Sequence, residues 1–247
     1  MVLVRSRPYD RRPRKGFCVA TMQPKEVAGR RAAEWVEDGM TLGLGTGSTV
    51  FFTLVAIAER IRDHGLRVRG VPTSLDTEHK ARGMGIPLAT LDQVTQLDLT
   101  IDGADEIDGA FQMIKGGGGA LLREKVVAAI SRREVIVVGP DKVVARLGTT
   151  FALPVEVVPF ARPVVERALS RLGCEPAVRR TRDGSEYRTD NGNQILDCRF
   201  PAGIADARAL ERQIDAIPGV VESGLFIDLA HTLVIGQPDG RAEVRER

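Results

Sequence analysis

From residue 22 onward, apolar and polar positions follow a regular succession of helical and strand-like patterns. Residues 24–38 and 50–62 place apolar side chains three and four positions apart, which predicts helices, and Gly39 is typical of a helix C-terminus. Further helices are expected over 73–83 and 120–130. Short apolar runs predict strands at 40–44, 66–71, 86–89, 97–101 and 135–138. Because these apolar strands alternate with helices, the sequence predicts an α/β fold with a parallel sheet covered by helices on both faces.

The pattern changes after residue 150 and changes back near the C-terminus. It predicts a strand at 153–158, a helix at 163–172, a hairpin that pairs 186–188 with 194–199 around Asn191-Gly192, a helix at 205–216 and a strand from 220. We therefore expect a small α+β, ferredoxin-like domain at 150–220. It would be inserted into a Rossmann-like domain formed by 22–149 and 221–247, with strands at 225–228 and 232–235 returning to the large sheet.

The composition is that of a globular chain without a membrane span. Of 247 residues, 43% are hydrophobic and 28% are charged, and no apolar run approaches the roughly 18 residues that a span needs. Cys18, Cys174 and Cys198 form no close pair, and the three histidines lie far apart in sequence. Neither a disulfide framework nor a metal site is expected, and a reducing, cytoplasmic setting is the simpler interpretation.

Charge is distributed unevenly along the chain. Residues 1–21 carry a net charge of +5, whereas the whole chain carries +2, so the remainder is mildly acidic. An acidic body argues against a nucleic-acid partner. The first 21 residues lack the apolar core of a secretory signal. They are interpreted as a disordered basic leader, or as the product of a start codon upstream of Met22.

Two glycine-rich stretches point to an anionic ligand. The first, Gly45-Thr46-Gly47-Ser48-Thr49, lies between a predicted strand and a predicted helix, a geometry that binds phosphate through backbone N–H groups and hydroxyls. It lacks the Lys-Ser/Thr ending of a Walker loop and the third glycine of a dinucleotide site. Taken alone, it is equally consistent with a simple helix cap.

The second stretch, residues 99–125, combines acidic residues, lysines and four consecutive glycines. Asp102 and Asp105 follow a strand, where they are placed to accept hydrogen bonds from sugar hydroxyls. Glu106 and Asp108 are interpreted as loop or cap residues. Lys115 precedes the glycine run, so that its ammonium and the glycine N–H groups are expected to converge on one developing oxyanion.

Glu124 lies early in the helix that follows the glycine run. There the helix dipole favours the ionised carboxylate that a general base requires. The apolar stripe predicted for this helix consists of Leu122, Val126, Ala129 and Ile130, and Glu124 lies away from it. The pattern alone is therefore equally consistent with a surface carboxylate.

Four motifs together resemble the type A ribose-5-phosphate isomerases. They are GLGTGST at 43–49, TIDGADEID at 100–108, KGGGGALLREK at 115–125 and LPVEVVPFA at 153–161. The resemblance extends from Pro24 to the C-terminus with all motifs in order. It implies an aldose–ketose isomerase of the pentose phosphate pathway that interconverts ribose 5-phosphate and ribulose 5-phosphate through an enediolate, without metal or cofactor. A homodimer or homotetramer is expected, with the sugar phosphate as ligand and no membrane partner.

The resemblance also implies roles for individual residues. Glu124 would move the proton between C1 and C2, with Asp102, Asp105 and Lys115 assisting ring opening and charge stabilisation. The substrate-binding set would be Lys25, Thr46, Gly47, Ser48, Thr49, Asp102, Gly103, Ala104, Asp105, Lys115, Gly116, Gly117, Gly118 and Lys142. One departure from the family pattern concerns Lys142, because Gly139 stands where the preceding strand usually ends in aspartate.

Three other function classes fit parts of the pattern. A sugar-phosphate-responsive transcription regulator would need a DNA-binding domain, and 21 residues are too short for a helix-turn-helix. An amino-sugar phosphate isomerase/deaminase would be expected to carry a histidine near the acidic loop, but none occurs between His79 and His231. The interpretation as a nucleotide-dependent oxidoreductase depends on the turn at 45–49 alone.

Overall fold

The computed structural model describes residues 23–247, so the expected leader and Cys18 lie outside the described residues. The helices are α1 (Pro24–Ala33), α2 (Ser48–His64), α3 (Leu75–Gly83), α4 (Leu121–Ala129), α5 (Arg162–Arg171) and α6 (Ala207–Asp215). The strands are β1 (Thr41–Leu44), β2 (Arg69–Pro72), β3 (Leu99–Asp102), β4 (Glu106–Ile107), β5 (Met113–Ile114), β6 (Glu134–Val138), β7 (Leu153–Val157), β8 (Glu175–Val178), β9 (Gln194–Arg199), β10 (Val220–Ser223), β11 (Leu225–Phe226), β12 (Thr232–Gly236) and β13 (Ala242–Glu246).

The largest sheet has six strands in the order β13-β12-β6-β3-β1-β2. The five strands from β12 to β2 run parallel, and β13 pairs with β12 in the antiparallel direction. Alternate residues of a strand point to opposite faces. Leu42 and Val137 pack with Ala28 of α1 and Ile57 of α2 on one face. The other face carries Ile136 and its neighbours against the start of α4. The α/β fold with helices on both faces is thus confirmed.

A four-stranded antiparallel sheet, in the order β10-β7-β9-β8, occupies the region after residue 150. The predicted hairpin is wrong. Glu186 makes only a single bridge, to Arg180, whereas β9 lies between β7 and β8. The strand β8 was missed because its sequence, EPAV, contains a proline, which pattern rules disfavour in strands. The last strand, β10, begins at the predicted domain boundary and continues past it to Ser223.

The C-terminal segment is divided between two sheets. β12 returns to the large sheet as predicted, but β11 pairs instead with β5 in a three-stranded sheet ordered β11-β5-β4. Residues 86–89 form no strand, since Leu88 makes only one bridge, to Gly70. Pro87 interrupts that run. Among residues 23–247, no helix combines the length and the apolar composition needed to cross a membrane.

Candidate active site

A cavity of about 210 Å³ opens at the carboxyl ends of the parallel strands. Three segments of its lining lie at the ends of β1, β3 and β6, as expected for a parallel sheet, and a fourth follows β5 of the three-stranded sheet. The residues that line it are Lys25, Thr46, Gly47, Ser48, Thr49, Val50, Gly103, Ala104, Asp105, Lys115, Gly116, Gly117, Gly118, Glu124, Val137, Val138, Gly139, Asp141 and Lys142. This list contains every residue that the sequence singled out for substrate or catalysis except Asp102, which lies beneath the cavity floor.

Asp102 ends β3 and is fully buried. Its Oδ1 accepts hydrogen bonds from the backbone N–H groups of Thr46, at 3.0 Å, and Gly103, at 2.7 Å. A side chain at Gly45 would collide with this carboxylate, because a Cβ there would lie 2.2 Å from Oδ1. Asp102 therefore links the two loops that form the cavity edge, and the glycine before Thr46 permits that contact.

Lys115 lies at the centre of the buried polar cluster. It follows β5, and only 2% of the residue is exposed. Its Nζ lies 3.1 Å from Asp102 Oδ2 and 3.5 Å from Glu124 Oε2, and it also donates a hydrogen bond to the carbonyl of Gly103. The ring of Phe226 lies on another side, with its centroid 5.3 Å from Nζ.

The charges around Lys115 keep it protonated. Burial by itself would lower the pKa of the ammonium, but the carboxylates of Asp102 and Glu124 outweigh burial and raise the pKa above its usual value. A fixed positive charge in a buried site interacts strongly with any negative charge that develops beside it. The cluster can therefore stabilise an oxyanion in the cavity.

The structure places Glu124 on the buried face of α4, which corrects the predicted apolar stripe. The buried residues of this helix are Leu121, Glu124, Val127 and Ala128, whereas Val126 is exposed. Spacing alone suggested the opposite face because the helix is apolar on much of its surface. The carboxylate of Glu124 therefore points into the cavity and not into solvent.

Burial controls the ionisation of Glu124. It raises the pKa of the carboxyl to about 8, even though the ammonium of Lys115 opposes the change. Here burial outweighs the helix dipole that was expected to keep the group ionised. Its Oε2 accepts no hydrogen bond within residues 23–247. Because Glu124 lines the cavity, its carboxylate is placed to accept a proton from a ligand when it is deprotonated.

Asp105 and the glycine run form one wall of the cavity. Asp105 Oδ2 accepts a hydrogen bond from the N–H of Gly117 at 2.7 Å. Burial raises the pKa of Asp105, and the Gly117 N–H and the Lys115 charge act in the opposite direction. The side chain is positioned to accept a hydrogen bond from a bound hydroxyl.

Part of the cavity lining is basic. Gly47 precedes the N-terminus of α2, and Lys25 Nζ donates to Ser48 Oγ at 2.9 Å. The hydroxyl of Thr46 is hydrogen-bonded to Thr73 and Ser74 at 2.8 Å each, and its backbone N–H is bonded to Asp102, so both groups already have partners in the protein. Two ammonium groups, counting Lys142, and a helix N-terminus are an environment that favours a phosphate.

The carboxylate of Asp141 lies beside the glycine at position 139. A Cβ on Gly139 would lie 2.6 Å from Asp141 Oδ1. Its Oδ2 lies 3.8 Å from Lys142 Nζ. Asp141 is therefore the acidic residue that lies next to Lys142 in this chain.

Comparisons with known proteins identify the family of the chain. A family model described as ribose 5-phosphate isomerase A (phosphoriboisomerase A) matches residues 69–240. The chain belongs to this family. A ribose-5-phosphate isomerase A of Listeria innocua is 47% identical over 220 residues, which cover 89% of this chain and 97% of the relative.

Solved structures of the ribose 5-phosphate isomerase A family superpose on most of the chain. The enzyme of Methanocaldococcus jannaschii gives a TM-score of 0.86 at 39% identity, covering 90% of this chain and 98% of its own. A D-ribose-5-phosphate isomerase in complex with phospho-erythronic acid gives a TM-score of 0.88 at 35% identity, covering 92% and 100%.

Sequence reasoning misjudged Glu106. It was interpreted as a loop residue, but it lies in β4 with no exposed surface. Its carboxylate accepts hydrogen bonds from the backbone N–H groups of Gly148, Thr150 and Phe151. In this member of the isomerase family, Glu106 therefore fixes the loop that leads into β7, a role that only the tertiary contacts reveal.

The region after residue 150 also contacts the site, which the sequence did not predict. Glu156 in β7 is buried, and its Oε1 accepts hydrogen bonds from Thr189, at 2.9 Å, and Asn193, at 2.8 Å. The turn held in this way reaches α4, where Arg123 Nε donates to Asn191 Oδ1 at 3.0 Å. Two features of the sequence could have indicated this contact. They are the Asn191-Gly192 turn and the acidic Glu156 in an otherwise apolar strand.

Another buried glutamate, Glu134, makes the stability of the protein pH-dependent. Glu134 in β6 has no exposed surface, and neither carboxylate oxygen accepts a hydrogen bond within residues 23–247. Burial raises its pKa from 4.5 to about 8. Between these values the folded protein holds one proton more than the unfolded chain. The free energy of unfolding contributed by this group therefore falls by about 1.4 kcal/mol per pH unit as pH rises.

We expect Glu134→Gln to weaken this pH dependence, because glutamine does not ionise. The loss of unfolding free energy between about pH 5.5 and pH 7.5 should shrink by about 2 to 3 kcal/mol, as measured by urea unfolding at each pH. Glu175→Gln, at an exposed strand position, is the matched control and should retain the native slope. An unchanged slope in Glu134→Gln would contradict the assignment.

Proposed function

We propose that this protein interconverts D-ribose 5-phosphate and D-ribulose 5-phosphate by moving a proton between C1 and C2 of the open-chain sugar. The observation that carries the proposal is the buried cluster of Lys115, Asp102 and Glu124, of which Lys115 and Glu124 line a cavity that Lys25, Lys142 and the start of α2 also line. The family relatives named ribose-5-phosphate isomerase A support the same activity.

The cavity accounts for both ends of such a substrate. The N-terminus of α2, Lys25 and Lys142 would hold the phosphate, and the reacting carbons would then lie towards Lys115 and Glu124. The family structure solved with phospho-erythronic acid supports this arrangement, because that compound carries a phosphate and a carboxylic acid. Its two anionic groups match the two sets of positive donors in the cavity.

The chemistry requires a base and a means of stabilising the enediolate. Glu124 would remove the proton from C2 of the aldose and return it to C1, while the hydroxyl proton on O2 passes to O1. Its raised pKa makes it a stronger base than an exposed carboxylate. Lys115 and the N–H groups of Gly116 and Gly118 would stabilise the oxyanion, since the N–H of Gly117 is bonded to Asp105. Each such donor is typically worth about 10² to 10³ in rate.

The other two carboxylates, those of Asp102 and Asp105, would not transfer this proton and would have supporting roles. Asp105 lines the cavity and would accept a hydrogen bond from the ring or chain hydroxyls, which assists ring opening. Asp102 would act mainly through Lys115 and the loop at Thr46, since it lies under the cavity floor. Gly103 and Ala104 would contact the substrate through the backbone.

The deciding experiment is an assay of purified protein with ribose 5-phosphate. We expect ribulose 5-phosphate to form, and we expect the rate to stay the same after treatment with EDTA, because Lys115 and the backbone supply the positive charge that a metal would otherwise provide. Absence of conversion would contradict the proposed function. Loss of activity with EDTA that a divalent ion restores would contradict proton transfer without metal and favour a hydride shift.

Further proposals concern the setting of the enzyme. We propose that it acts in the non-oxidative pentose phosphate pathway in the cytoplasm, as a homodimer or homotetramer, without nucleic-acid or membrane partners. We also propose that residues 22–149 and 221–247 form the catalytic domain and that 150–220 form a separate small domain. The antiparallel sheet after residue 150 supports this division.

A further inference from the structure

Two carbonyl groups of the glycine run accept hydrogen bonds from an arginine that does not line the cavity. Arg179 follows β8, and its Nη1 donates hydrogen bonds to the carbonyl of Gly116 at 2.8 Å and to that of Gly117 at 3.1 Å. The same guanidinium is fixed on its other side by Asp197 in β9, which accepts from Nε at 3.0 Å and also from Nη2. The Arg179 side chain is only 13% exposed.

A tyrosine continues the same row of contacts. The hydroxyl of Tyr187 donates to the carbonyl of Gly118 at 3.2 Å, and its ring centroid lies 5.8 Å from the Arg179 guanidinium. A Cβ on Gly119 would lie 2.1 Å from this hydroxyl, and Gly119 has a φ of +83°. Three successive carbonyls of the glycine run are therefore bonded to side chains from the region after residue 150.

The hydrogen bonds to these carbonyls also fix the direction of the N–H groups that belong to the same peptide units. The carbonyl of Gly116 shares a peptide group with the N–H of Gly117, which donates to Asp105 Oδ2 at 2.7 Å. The carbonyl of Gly117 shares a peptide group with the N–H of Gly118. Within residues 23–247 that N–H donates no hydrogen bond, and Gly118 lines the cavity.

We propose that Arg179 is a positioning residue for the isomerisation, fixing these two peptide groups so that one N–H orients Asp105 and the other is presented to the substrate. The inference rests on the proposed isomerase function. A flexible glycine run loses much conformational entropy when it is ordered, and a guanidinium that binds two carbonyls orders it before the substrate arrives. Hydrogen bonding at a carbonyl also strengthens the N–H donor of the same peptide group.

The positive charge of Arg179 supports the same role as its hydrogen bonds, because both act on Asp105. Burial raises the pKa of Asp105, whereas the positive charges of Lys115, Lys142 and Arg179 lower it. Arg179 therefore helps to keep Asp105 ionised as a hydrogen-bond acceptor, in addition to holding the N–H that orients it. The charge and the hydrogen bonds of Arg179 therefore affect the substrate through Asp105 and the N–H groups of the glycine run.

The test compares Arg179→Met and Arg179→Lys with a matched neighbour, Arg180→Met. Arg180 donates to the carbonyl of Gly184 at 2.8 Å, a residue outside the cavity lining. We expect Arg179→Met to lower kcat by about 10-fold or more with KM changed by less than about threefold, because removal of one complete oxyanion donor typically costs about 10² to 10³. Arg179→Lys, which keeps the charge, should recover part of the loss, and Arg180→Met should match the native protein.

Asp197→Asn separates a positioning role from a purely structural one. It removes the ion pair but leaves the arginine able to bind the glycine carbonyls. We expect it to lower Tm about as much as Arg179→Met does, with a smaller loss of kcat. Parallel losses of Tm and kcat in the two variants would overturn the inference, as would native kcat in both Arg179 variants.

If Arg179→Met does not fold, the Arg179→Lys variant provides the test. A lowered kcat is expected for it, and a native kcat would overturn the inference.

The same assay distinguishes failure of the inference from failure of the function. Conversion of ribose 5-phosphate by the native protein together with native kcat in the Arg179 variants would overturn the positioning role and leave the isomerase function standing. Absence of conversion by the native protein would overturn both.

Discussion

Replacement of Glu124 by glutamine is expected to lower kcat by about 10³-fold while the protein stays folded, because positioned general-base catalysis typically contributes about 10² to 10⁴. Glutamine has nearly the same shape as glutamate and cannot accept the proton. The native kcat/KM should rise with pH up to about 8, the value to which burial raises the pKa of Glu124, because only the deprotonated carboxylate acts as a base. Steady-state kinetics from acid to mildly alkaline pH would measure both effects.

The matched control for this change is Glu134→Gln. Glu134 is also a fully buried glutamate whose pKa burial raises and which feels the charge of Lys115, but it does not line the cavity. Its replacement should leave kcat within about threefold of the native value, a difference of less than about 1 kcal/mol in activation free energy. Native turnover in Glu124→Gln, or an equal loss in both variants, would exclude Glu124 as the base.

Replacement of Lys115 by methionine is expected to lower kcat by about 10² to 10³-fold, the usual effect of removing one oxyanion-stabilising donor. It should also destabilise the protein by about 3 to 5 kcal/mol, because Asp102 and Glu124 are left buried without the positive charge between them. Circular dichroism would establish that the variant is folded, urea unfolding would give the stability, and the isomerase assay would give kcat.

Lys125 provides the matched control for Lys115. Its Nζ lies 5.0 Å from the centroid of the Phe226 ring, which Lys115 also contacts, but it pairs with Glu222 at 2.6 Å and Glu211 at 3.5 Å and does not line the cavity. Lys125→Met should therefore retain native kcat. An equal loss of kcat in both lysine variants would point to a general effect on packing and would contradict the role given to Lys115.

The residues of the cavity were predictable because they lie in short, continuous motifs. Gly45 to Thr49 follows β1 and Asp102 to Asp105 begins at the end of β3, and the carboxyl ends of these neighbouring parallel strands meet at one edge of the sheet. Lys115 to Gly118 follows β5 of the three-stranded antiparallel sheet, so its approach to the cavity depends on tertiary contacts. The raised pKa of Glu124 was not predictable in this way, because burial comes from elements on both sides of the helix.

The errors have a common physical origin. The face of α4 that is buried depends on the sheet below it and on the region after residue 150, so that apolar spacing selected Val126 where the structure buries Val127. The hairpin at 186–199 was predicted from a local turn, whereas β9 pairs with β7 and β8. In both cases, long-range contacts outweighed a local pattern.

The sequence by itself determined the α/β fold and marked the glycine-rich turns, Asp102, Asp105 and Lys115 as candidate ligand-binding residues, because these follow from local periodicity and from motifs within single segments. The roles expected of Lys25, Lys142 and Glu124 came from the resemblance to the isomerase family. Only the tertiary structure decided that Lys115 lies between Asp102 and Glu124, that Glu106 fixes a loop, and that Arg179 holds the glycine run. Burial and hydrogen-bond partners depend on residues far apart in the chain, and these contacts set the ionisation and geometry on which the proposed chemistry depends.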